Sequence, residues 1–330
     1  MIGQQRLPDR NPAAHAANIV FSSMTRIAQN GCSLMLVPMS TYENPYSAST
    51  RWLRGNLHAH TCCSGFMDIA ESGPMFASLG YDFLAVTDHN QAPDEQQWRK
   101  WQQQAGLLLV PGEENGTDGH MLEVGVHEVT PTPSEGFAER AAALRGGGGF
   151  VMACHPQEYP ENGAENIFSA AADLHAVEVF NGMREAIGCD ETANIPLWDE
   201  LLTAGKRLWA CANDDFHFAL ITPGHGWVCV QVPEDEDEIT WQLVVAKLKA
   251  GAFFASTYPR FEQITLDQDT LHVTAGRHVK LLRVIGPGGR TLHQQEGPKL
   301  EWQTEPNLSY FRIEAHTGVK RAWSQPFYAS

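Results

Sequence analysis

Short apolar runs alternate with amphipathic, helix-like stretches from residue 53 to about residue 257. The runs have the length of buried strands, and helical segments follow several of them. A strand followed by a helix, repeated along the chain, predicts parallel strands in a sheet or barrel. The apolar runs are DFLAVT (82–87), GLLLV (106–110), HMLEVGV (120–126), FVMAC (150–154), AVEVF (176–180), RLWACA (207–212) and GWVCVQV (226–232).

The pattern changes near residue 260. Beyond it, apolar and polar residues alternate between glycine-containing turns, which predicts strands without helices. The chain therefore divides into three predicted parts. Residues 1–52 are a mixed lead-in, with a helix near 14–29 and a short strand near 33–38, packed on the next part. Residues 53–260 form an α/β domain, and residues 261–330 form a small, sandwich-like β domain.

Composition and charge narrow the class of protein. The net charge is −16, and we find no basic face of the kind that nucleic-acid binding requires. No apolar run reaches the roughly 18 residues of a membrane span, and the first residues do not resemble a secretory signal. The seven cysteines include no C-x-x-C pair, which favours reduced thiols. We expect a cytoplasmic protein that acts on a small molecule, and the sequence specifies no oligomeric state.

Residues that can bind metals cluster where successive predicted strands end, which is where barrel enzymes place their active sites. Side chains two apart on a strand point the same way, so an H-x-H or D-x-H pair can bind one ion. Imidazole and carboxylate groups suit zinc, manganese and iron. The candidates are His58 and His60, Asp88 and His89, Glu113 and Glu114, His120, His155, and Asp215 with His217.

Several of these stretches resemble the motifs of the PHP (polymerase and histidinol phosphatase) superfamily of metal-dependent hydrolases. NLHAHT, TDHN, VPGEE followed by GHMLEVG, and NDDFH resemble its successive motifs in order. ACHP, VEVFNG and LKAGAFFASTYP are similar to stretches of the branch of carbaryl-hydrolase-type proteins, CehA/McbA. The likeness covers residues 55 to 257 and extends to the C-terminal segment.

This resemblance implies a distorted (β/α)7 TIM-like barrel, the PHP fold, with two or three divalent metals such as manganese, zinc or iron. Glu114 is preferred to Glu113 because the glutamate of the family follows the glycine of its PG turn by two residues. Gly65 stands where the family usually has an aspartate, so Asp68 is the candidate substitute for a third metal. The implied ligands are His58, His60, His89, Glu114, His120, His155, Asp215 and His217.

The leading functional hypothesis is phosphoester hydrolysis by metal-activated hydroxide. Glu114 would bridge metals, His155 or His217 would protonate the leaving oxygen, and Arg184 would hold a phosphate oxygen. Hydrolysis of a carboxylic ester, amide or carbamate at the same metals is the alternative. A third hypothesis is a non-catalytic binding protein, in which aromatic residues of the C-terminal segment line a binding surface. These residues are Trp302, Tyr310, Trp323 and Tyr328.

Overall fold

The structure is a computed structural model, and its Ser40–Ser330 part is one compact unit. The lead-in helix and strand predicted before residue 40 lie outside the described residues. No helix of the described chain is long and apolar enough to cross a membrane. The residues that the structure describes are 42–48, 50–116, 119–133, 136–156, 158, 163–189, 194–218 and 223–330.

Each of the seven predicted apolar runs contains a strand. Each strand begins and ends within two residues of the predicted limits, except that the strand from Leu108 continues to Asn115. The strands of the described residues are β1 (Tyr42–Glu43), β2 (Thr50–Asn56), β3 (Phe83–Val86), β4 (Leu108–Asn115), β5 (Met121–Val124), β6 (Phe150–Ala153), β7 (Ala176–Asn181), β8 (Trp209–Asn213), β9 (Trp227–Pro233), β10 (Phe253–Ser256), β11 (Phe261–Asp267), β12 (Thr270–Ala275), β13 (Leu281–Gly286), β14 (Arg290–Glu296), β15 (Lys299–Gln303), β16 (Tyr310–His316), β17 (Arg321–Ser324) and β18 (Phe327–Ala329).

The helices lie between these strands, and several of them follow a residue whose side chain caps the helix N-terminus. Asp68, Asp94 and Thr240 each accept a hydrogen bond from a backbone N–H of the first turn, which satisfies a donor without a helical partner. The helices of the described residues are α1 (Ile69–Ser78), α2 (Glu95–Gln104), α3 (Phe137–Gly147), α4 (Ala164–Ala170), α5 (Gly182–Ala186), α6 (Asn194–Thr203) and α7 (Trp241–Lys249).

The mixed α/β class predicted from the alternation is confirmed. Strands β2, β3 and β4 are parallel, as are β6, β7 and β8, but β5 runs antiparallel to both β4 and β6. An isolated parallel bridge between Ala59 and Phe216 joins the chain just beyond β2 to the chain just beyond β8. The carboxyl ends of the first and the last of these seven strands are therefore neighbours.

The C-terminal strands continue the same sheet. Strand β2 pairs with β9, β9 with β10, and β10 with β17, whose Trp323 lies opposite Ala255. Strands β16, β13 and β14 extend this sheet, while β11, β12 and β15 form a separate three-stranded sheet. The predicted strands are present, but hydrogen bonds connect many of them directly to the α/β part.

The four aromatic residues that the third hypothesis places on a binding surface are buried. Trp302, the most exposed of them, is 8% exposed, and Tyr310 is fully buried. Tyr328 donates a hydrogen bond to the carbonyl of Leu208, so it ties the C-terminal strands to the loop before β8. These side chains stabilise packing, as large aromatic side chains usually do in a core.

Candidate metal centre

The bridge between Ala59 and Phe216 places the two histidine-rich stretches side by side. The N–H of His60 donates to the carbonyl of Phe216 at 2.8 Å, and the N–H of Phe216 donates to the carbonyl of His58 at 3.2 Å. Strand β2 ends at Asn56, so His58 and His60 follow the strand rather than end it. Asp215 is the residue before Phe216, and its side chain reaches the same cluster as the two histidines.

The neighbouring strands supply the other members of the cluster. A second isolated bridge pairs His89, beyond β3, with Glu114 near the end of β4. His120 directly precedes β5, and His155 follows β6 by two residues. Among the described residues, four overlapping groups of side chains have ligand atoms within 4.8 Å of one another: His60, His89 and His217; His58, His60 and Glu114; His58, His155 and Asp215; and His89, Glu114 and His120.

Glu114 is at the centre of the cluster. It is 1% exposed, and five imidazoles approach its two oxygens, with nitrogen–oxygen distances between 2.9 and 3.2 Å. The neighbouring Glu113 points elsewhere and accepts the N–H of Thr130 at 2.7 Å. The structure therefore brings Glu114, and not Glu113, into the cluster. The five imidazoles belong to His58, His60, His89, His120 and His155.

Buried atoms in the cluster lack the hydrogen bonds that buried polar atoms normally have. Within the described part of the chain, His58 Nε2, His60 Nε2, Glu114 Oε2 and Asp215 Oδ1 are buried without a hydrogen bond of acceptable geometry. Leaving such atoms unpaired is costly, and a divalent cation bound by imidazole nitrogens and carboxylate oxygens would satisfy them. The residues present therefore fit a metal site.

Glu178 orients two of the histidines, although its role was not predicted from the sequence. This fully buried residue of β7 accepts from His58 Nδ1 at 3.2 Å and from the N–H of His155 at 2.8 Å. The side-chain amides of Asn181 and Asn213 also donate to it. With Nδ1 as the donor, His58 directs its Nε2 lone pair towards the oxygens of the cluster, as a metal-binding histidine does.

His60 is oriented in a similar way by a serine. Its Nδ1 lies 2.9 Å from Ser64 Oγ, and Ser64 donates to Asp88 at 2.7 Å. Asp88 also accepts from the backbone N–H and the hydroxyl of Thr61. Asp88, a candidate ligand by its position in the sequence, therefore holds the turn after His60 and lies outside the four groups.

Two members of the cluster have backbone angles that residues other than glycine seldom adopt. The φ angle is 24° at His155 and 51° at Asp215. Such conformations persist when neighbouring contacts hold them, and they concentrate at functional sites. Glu178 accepts the N–H of His155, and Asn181 donates to Asp215 Oδ2 at 3.1 Å. These contacts hold both side chains towards the cluster.

The charges of the cluster shift several pKa values. Burial raises the pKa of Glu114, but the surrounding histidines outweigh it and hold this pKa well below its usual range. The pKa of Asp215 is lowered in the same way, chiefly by His58 against the effect of burial. Burial and the neighbouring His60 lower the pKa of His217. Both carboxylates are therefore ionised and can bind cations.

Asp68 is the predicted ligand that the structure does not bring to the cluster. Its carboxylate accepts the N–H of Ala70 and caps α1. The loop has no room for an aspartate at position 65 either. A Cβ on Gly65 would lie 2.9 Å from the carbonyl oxygens of Thr61 and His217, so the loop would have to move. The other eight predicted ligands all belong to the four groups.

Arg184 contacts the cluster indirectly, through the carboxylate of Glu158. Its Nη1 donates to Glu158 Oε1 at 2.6 Å, and Glu158 Oε2 lies 2.7 Å from His155 Nδ1. Glu158 was not predicted, because nothing in its local sequence distinguishes it from a surface glutamate. The arginine is still partly exposed, at 23%.

No known family model matches the chain, and no curated protein matches it. The chain is similar to solved structures. One is a two-domain protein from Bacteroides vulgatus containing a predicted PHP-like metal-dependent phosphoesterase. The identity is 15%, the TM-score is 0.49, and the match covers 91% of this chain and 92% of that one.

Two further solved structures match smaller parts of the chain. A candidate metal-dependent phosphoesterase from Bifidobacterium adolescentis is 18% identical, with a TM-score of 0.40, and covers 50% of this chain and 87% of its own. An amidohydrolase from Chromobacterium violaceum, with bound sulfate and no metal, is 17% identical, with a TM-score of 0.41. The match covers 58% of this chain and 96% of that one. At such low scores these likenesses carry no argument about activity, which rests on the side chains of the cluster.

Glu178→Gln should weaken metal binding by about 10- to 100-fold, the usual effect of losing a partner behind a ligand. The amide nitrogen that replaces one carboxylate oxygen is a hydrogen-bond donor. It would face the N–H groups that now donate to Glu178, so those hydrogen bonds would be lost. Affinity is measured by competition with a chromophoric chelator. Glu123→Gln is the matched control, because Glu123 is equally buried but accepts from Thr130 and Gly149. Equal affinity in the two variants would contradict this role.

Metal removal should lower thermal stability. A ligand held at one hundred times its dissociation constant adds about 2.7 kcal/mol to the folded state. With an unfolding entropy of about 2.1 cal/mol/K per residue, that corresponds to about 4 °C in Tm for a chain of 330 residues. Differential scanning fluorimetry with EDTA, and then with added manganese or zinc, measures the change. The same additions should leave the Tm of His58→Ala/His60→Ala unchanged, and an equal shift in that variant would exclude the cluster as the cause.

Proposed function

We propose that the chain is a metal-dependent hydrolase whose active site is the cluster around Glu114. The observation that carries the proposal is Glu114 itself, a buried carboxylate approached by five imidazoles beside buried atoms that lack hydrogen bonds. The eight side chains of the four groups would hold two or three divalent metals. Bound metals of this kind activate water and stabilise the charge that develops during hydrolysis.

The roles proposed for the protein's own residues follow from their surroundings. Glu114 would hold metal through both of its carboxylate oxygens, since these face different histidines. His217 is 16% exposed, and its Nδ1 lies 3.1 Å from the carbonyl oxygen of Asp215. Its Nε2 would therefore be the nitrogen that protonates the leaving oxygen when His217 is not committed to a metal. His155, almost fully buried, is the second candidate to protonate the leaving oxygen.

We propose that the protein is an ester hydrolase and that its first candidate substrate class is phosphate esters. Arg184 supports it, because a guanidinium paired through one nitrogen retains other donors for a phosphate oxygen. Glu158 would then position both Arg184 and His155. We propose the same contact between Arg184 and the substrate during the reaction, and manganese, zinc or iron as the metal.

A carboxylic ester, amide or carbamate is the second candidate, and an apolar surface near the cluster favours it. Phe66 is 77% exposed, and its ring lies edge-on to that of Phe218 with 5.8 Å between centroids. The N–H of Phe66 donates to the carbonyl of His217, so this aromatic pair lies next to a member of the cluster. An aryl or alkyl group of a substrate could pack there.

The distorted (β/α)7 barrel and membership of the CehA/McbA branch belong to the same proposal. Seven strands from β2 to β8 whose first and last carboxyl ends are bridged support such a barrel. In that arrangement the predicted ligands meet at one end of the barrel, as they do in barrel enzymes.

The experiment compares hydrolysis of p-nitrophenyl phosphate, bis-p-nitrophenyl phosphate and p-nitrophenyl acetate by protein reconstituted with manganese or zinc. Phosphate-ester cleavage that His58→Ala/His60→Ala abolishes would support the first substrate class. Acetate cleavage alone, lost in the same variant, would support the second. Activity that survives in the variant, or no activity with any of the three compounds, would count against the proposed site or its substrate classes.

A further inference from the structure

A positively charged pocket lies at the opposite end of strands β7 and β8 from the metal centre. Its volume is about 390 Å³. His175, the residue before β7, and Trp209, the first residue of β8, both line it. The metal centre lies beyond the carboxyl ends of these strands, so the pocket is a separate site.

The pocket reverses the charge of the protein locally. Four of its lining residues are cationic, and none of the ten described residues that line it is acidic. The chain as a whole has a net charge of −16, so this concentration of positive charge is not a general property of the surface. The cationic residues are Arg145, Lys206, Arg207 and Lys249.

Two of the four cations are already engaged. Arg207 pairs with Glu43, and its guanidinium carbon lies 4.4 Å from the centre of the Tyr328 ring. Lys249 donates to the carbonyl of Gly148, and burial and then Arg145 lower its pKa. Within the described ranges, Arg145 and Lys206 have no carboxylate partner. Arg145 also repels Lys249, and an anion bound in the pocket would offset that repulsion.

His175 adds a neutral donor. Its Nδ1 accepts the N–H of Val151 at 2.9 Å, so the ring hydrogen is on Nε2. The ring stacks on Phe150 with 5.2 Å between centroids, which holds its orientation. Burial, followed by Arg145 and Lys249, lowers the pKa of His175 to about 3. The imidazole is therefore uncharged at neutral pH, and its Nε2–H can donate a hydrogen bond to a ligand.

The remaining wall of the pocket is apolar. Ala171 and Leu174, beyond α4, line it together with Trp209. A volume of this size falls in the range of small-molecule sites, which combine an apolar wall with a few polar groups. The lining thus offers separate surfaces to a charged group and to a small organic part.

We propose that this pocket binds a small phosphate-bearing anion, with Arg145, Lys206 and His175 as donors to the phosphate. Arginine and lysine bind phosphate through charge-assisted hydrogen bonds, and a planar guanidinium can contact two phosphate oxygens at once. The uncharged Nε2–H of His175 adds a third donor. The site is independent of the reaction at the metal centre and of the substrate of that reaction.

Isothermal titration calorimetry with inorganic phosphate tests the proposal. Because phosphate also binds metals, the titration uses the full chain carrying His58→Ala/His60→Ala. Phosphate should still bind to this protein. Adding Arg145→Gln/Lys206→Gln should weaken binding by at least about tenfold, because two charged donors to the phosphate are lost. The matched control is Arg99→Gln/Arg260→Gln, which removes two exposed cations away from the pocket and should leave the affinity unchanged.

A second measurement uses the unmodified chain. Phosphate should shift the imidazole ¹⁵N signal of His175 Nε2, assigned with His175→Phe, and citrate at equal ionic strength should shift it less. No shift would overturn the proposal, as would equal losses of affinity in the pocket variant and its control. Equal responses to phosphate and citrate would overturn the assignment to phosphate.

Discussion

Glu114→Gln should lower metal-dependent hydrolysis by about 10²–10³-fold, because the variant loses the carboxylate that would hold the metals, and bound metals stabilise the developing charge. Glutamine keeps the size of the side chain, so packing is preserved. It replaces one oxygen by an amide nitrogen, which cannot bind a metal through its donors, and it removes the negative charge among five imidazoles. The measurement is kcat/KM with the best of the three p-nitrophenyl substrates at saturating metal.

Glu113→Gln is the matched control for this prediction, because it makes the same chemical change one residue earlier. Glu113 is also fully buried, but it faces Thr130 and Asn115. Burial raises the pKa of Glu113, so removing its charge should have a small effect on folding. Activity of the Glu113 variant should stay within a few-fold of that of the wild type. Similar losses in both variants would contradict a specific role of the Glu114 carboxylate. They would mean that activity depends on the general integrity of strand β4.

Arg312→Met should destabilise the folded chain by about 3–5 kcal/mol, the usual result of removing one partner of a buried ion pair. Arg312 is 1% exposed, donates to both oxygens of Asp199 at 2.8–2.9 Å, and reaches Glu314 at 2.7 Å. Methionine leaves both carboxylates buried without their cation. Because Asp199 lies on α6 and Arg312 on β16, the variant also loses a link between the α/β part and the C-terminal strands.

Chemical denaturation at neutral pH measures the change in the free energy of unfolding. Arg99→Met is the control, since its pair with Glu95 is largely exposed and such pairs contribute about 0–1 kcal/mol. Burial alone would raise the pKa of Glu314, but Arg312 and His316 lower it to about 2. This carboxylate therefore stabilises the fold above its ordinary pKa of 4.5, and the effect is lost as the pH falls towards 2. Equal stability of the two variants at neutral pH would contradict this account.

The sequence predicted the strands and the positions of the candidate ligands better than it predicted their surroundings. The pairs His58 and His60, and Asp215 and His217, could be recognised because metal-binding residue types recur at strand ends with a spacing of two. Glu178 had a weaker signal, a single charge inside the apolar run AVEVF, which indicates a buried residue that needs partners.

Other features depend on contacts between residues far apart in the chain, which local patterns do not encode. Pairing of β10 with β17 joins residues separated by a whole set of strands, so the alternation near residue 260 could not predict a continuous sheet. Asp68 had the right residue type near the right place, but an aspartate directly before a helix is also a good cap. In the structure Asp68 caps α1 and does not join the cluster.

The metal content of the full chain tests most directly whether a multinuclear metal centre forms around Glu114. Purified protein would be incubated with manganese or zinc, freed of unbound metal and analysed by inductively coupled plasma mass spectrometry. We predict two or three divalent ions per chain of the wild type and of Glu113→Gln, and fewer in His58→Ala/His60→Ala and in Glu114→Gln. Less than one ion per chain, or equal metal content in all four proteins, would contradict a multinuclear metal centre around Glu114.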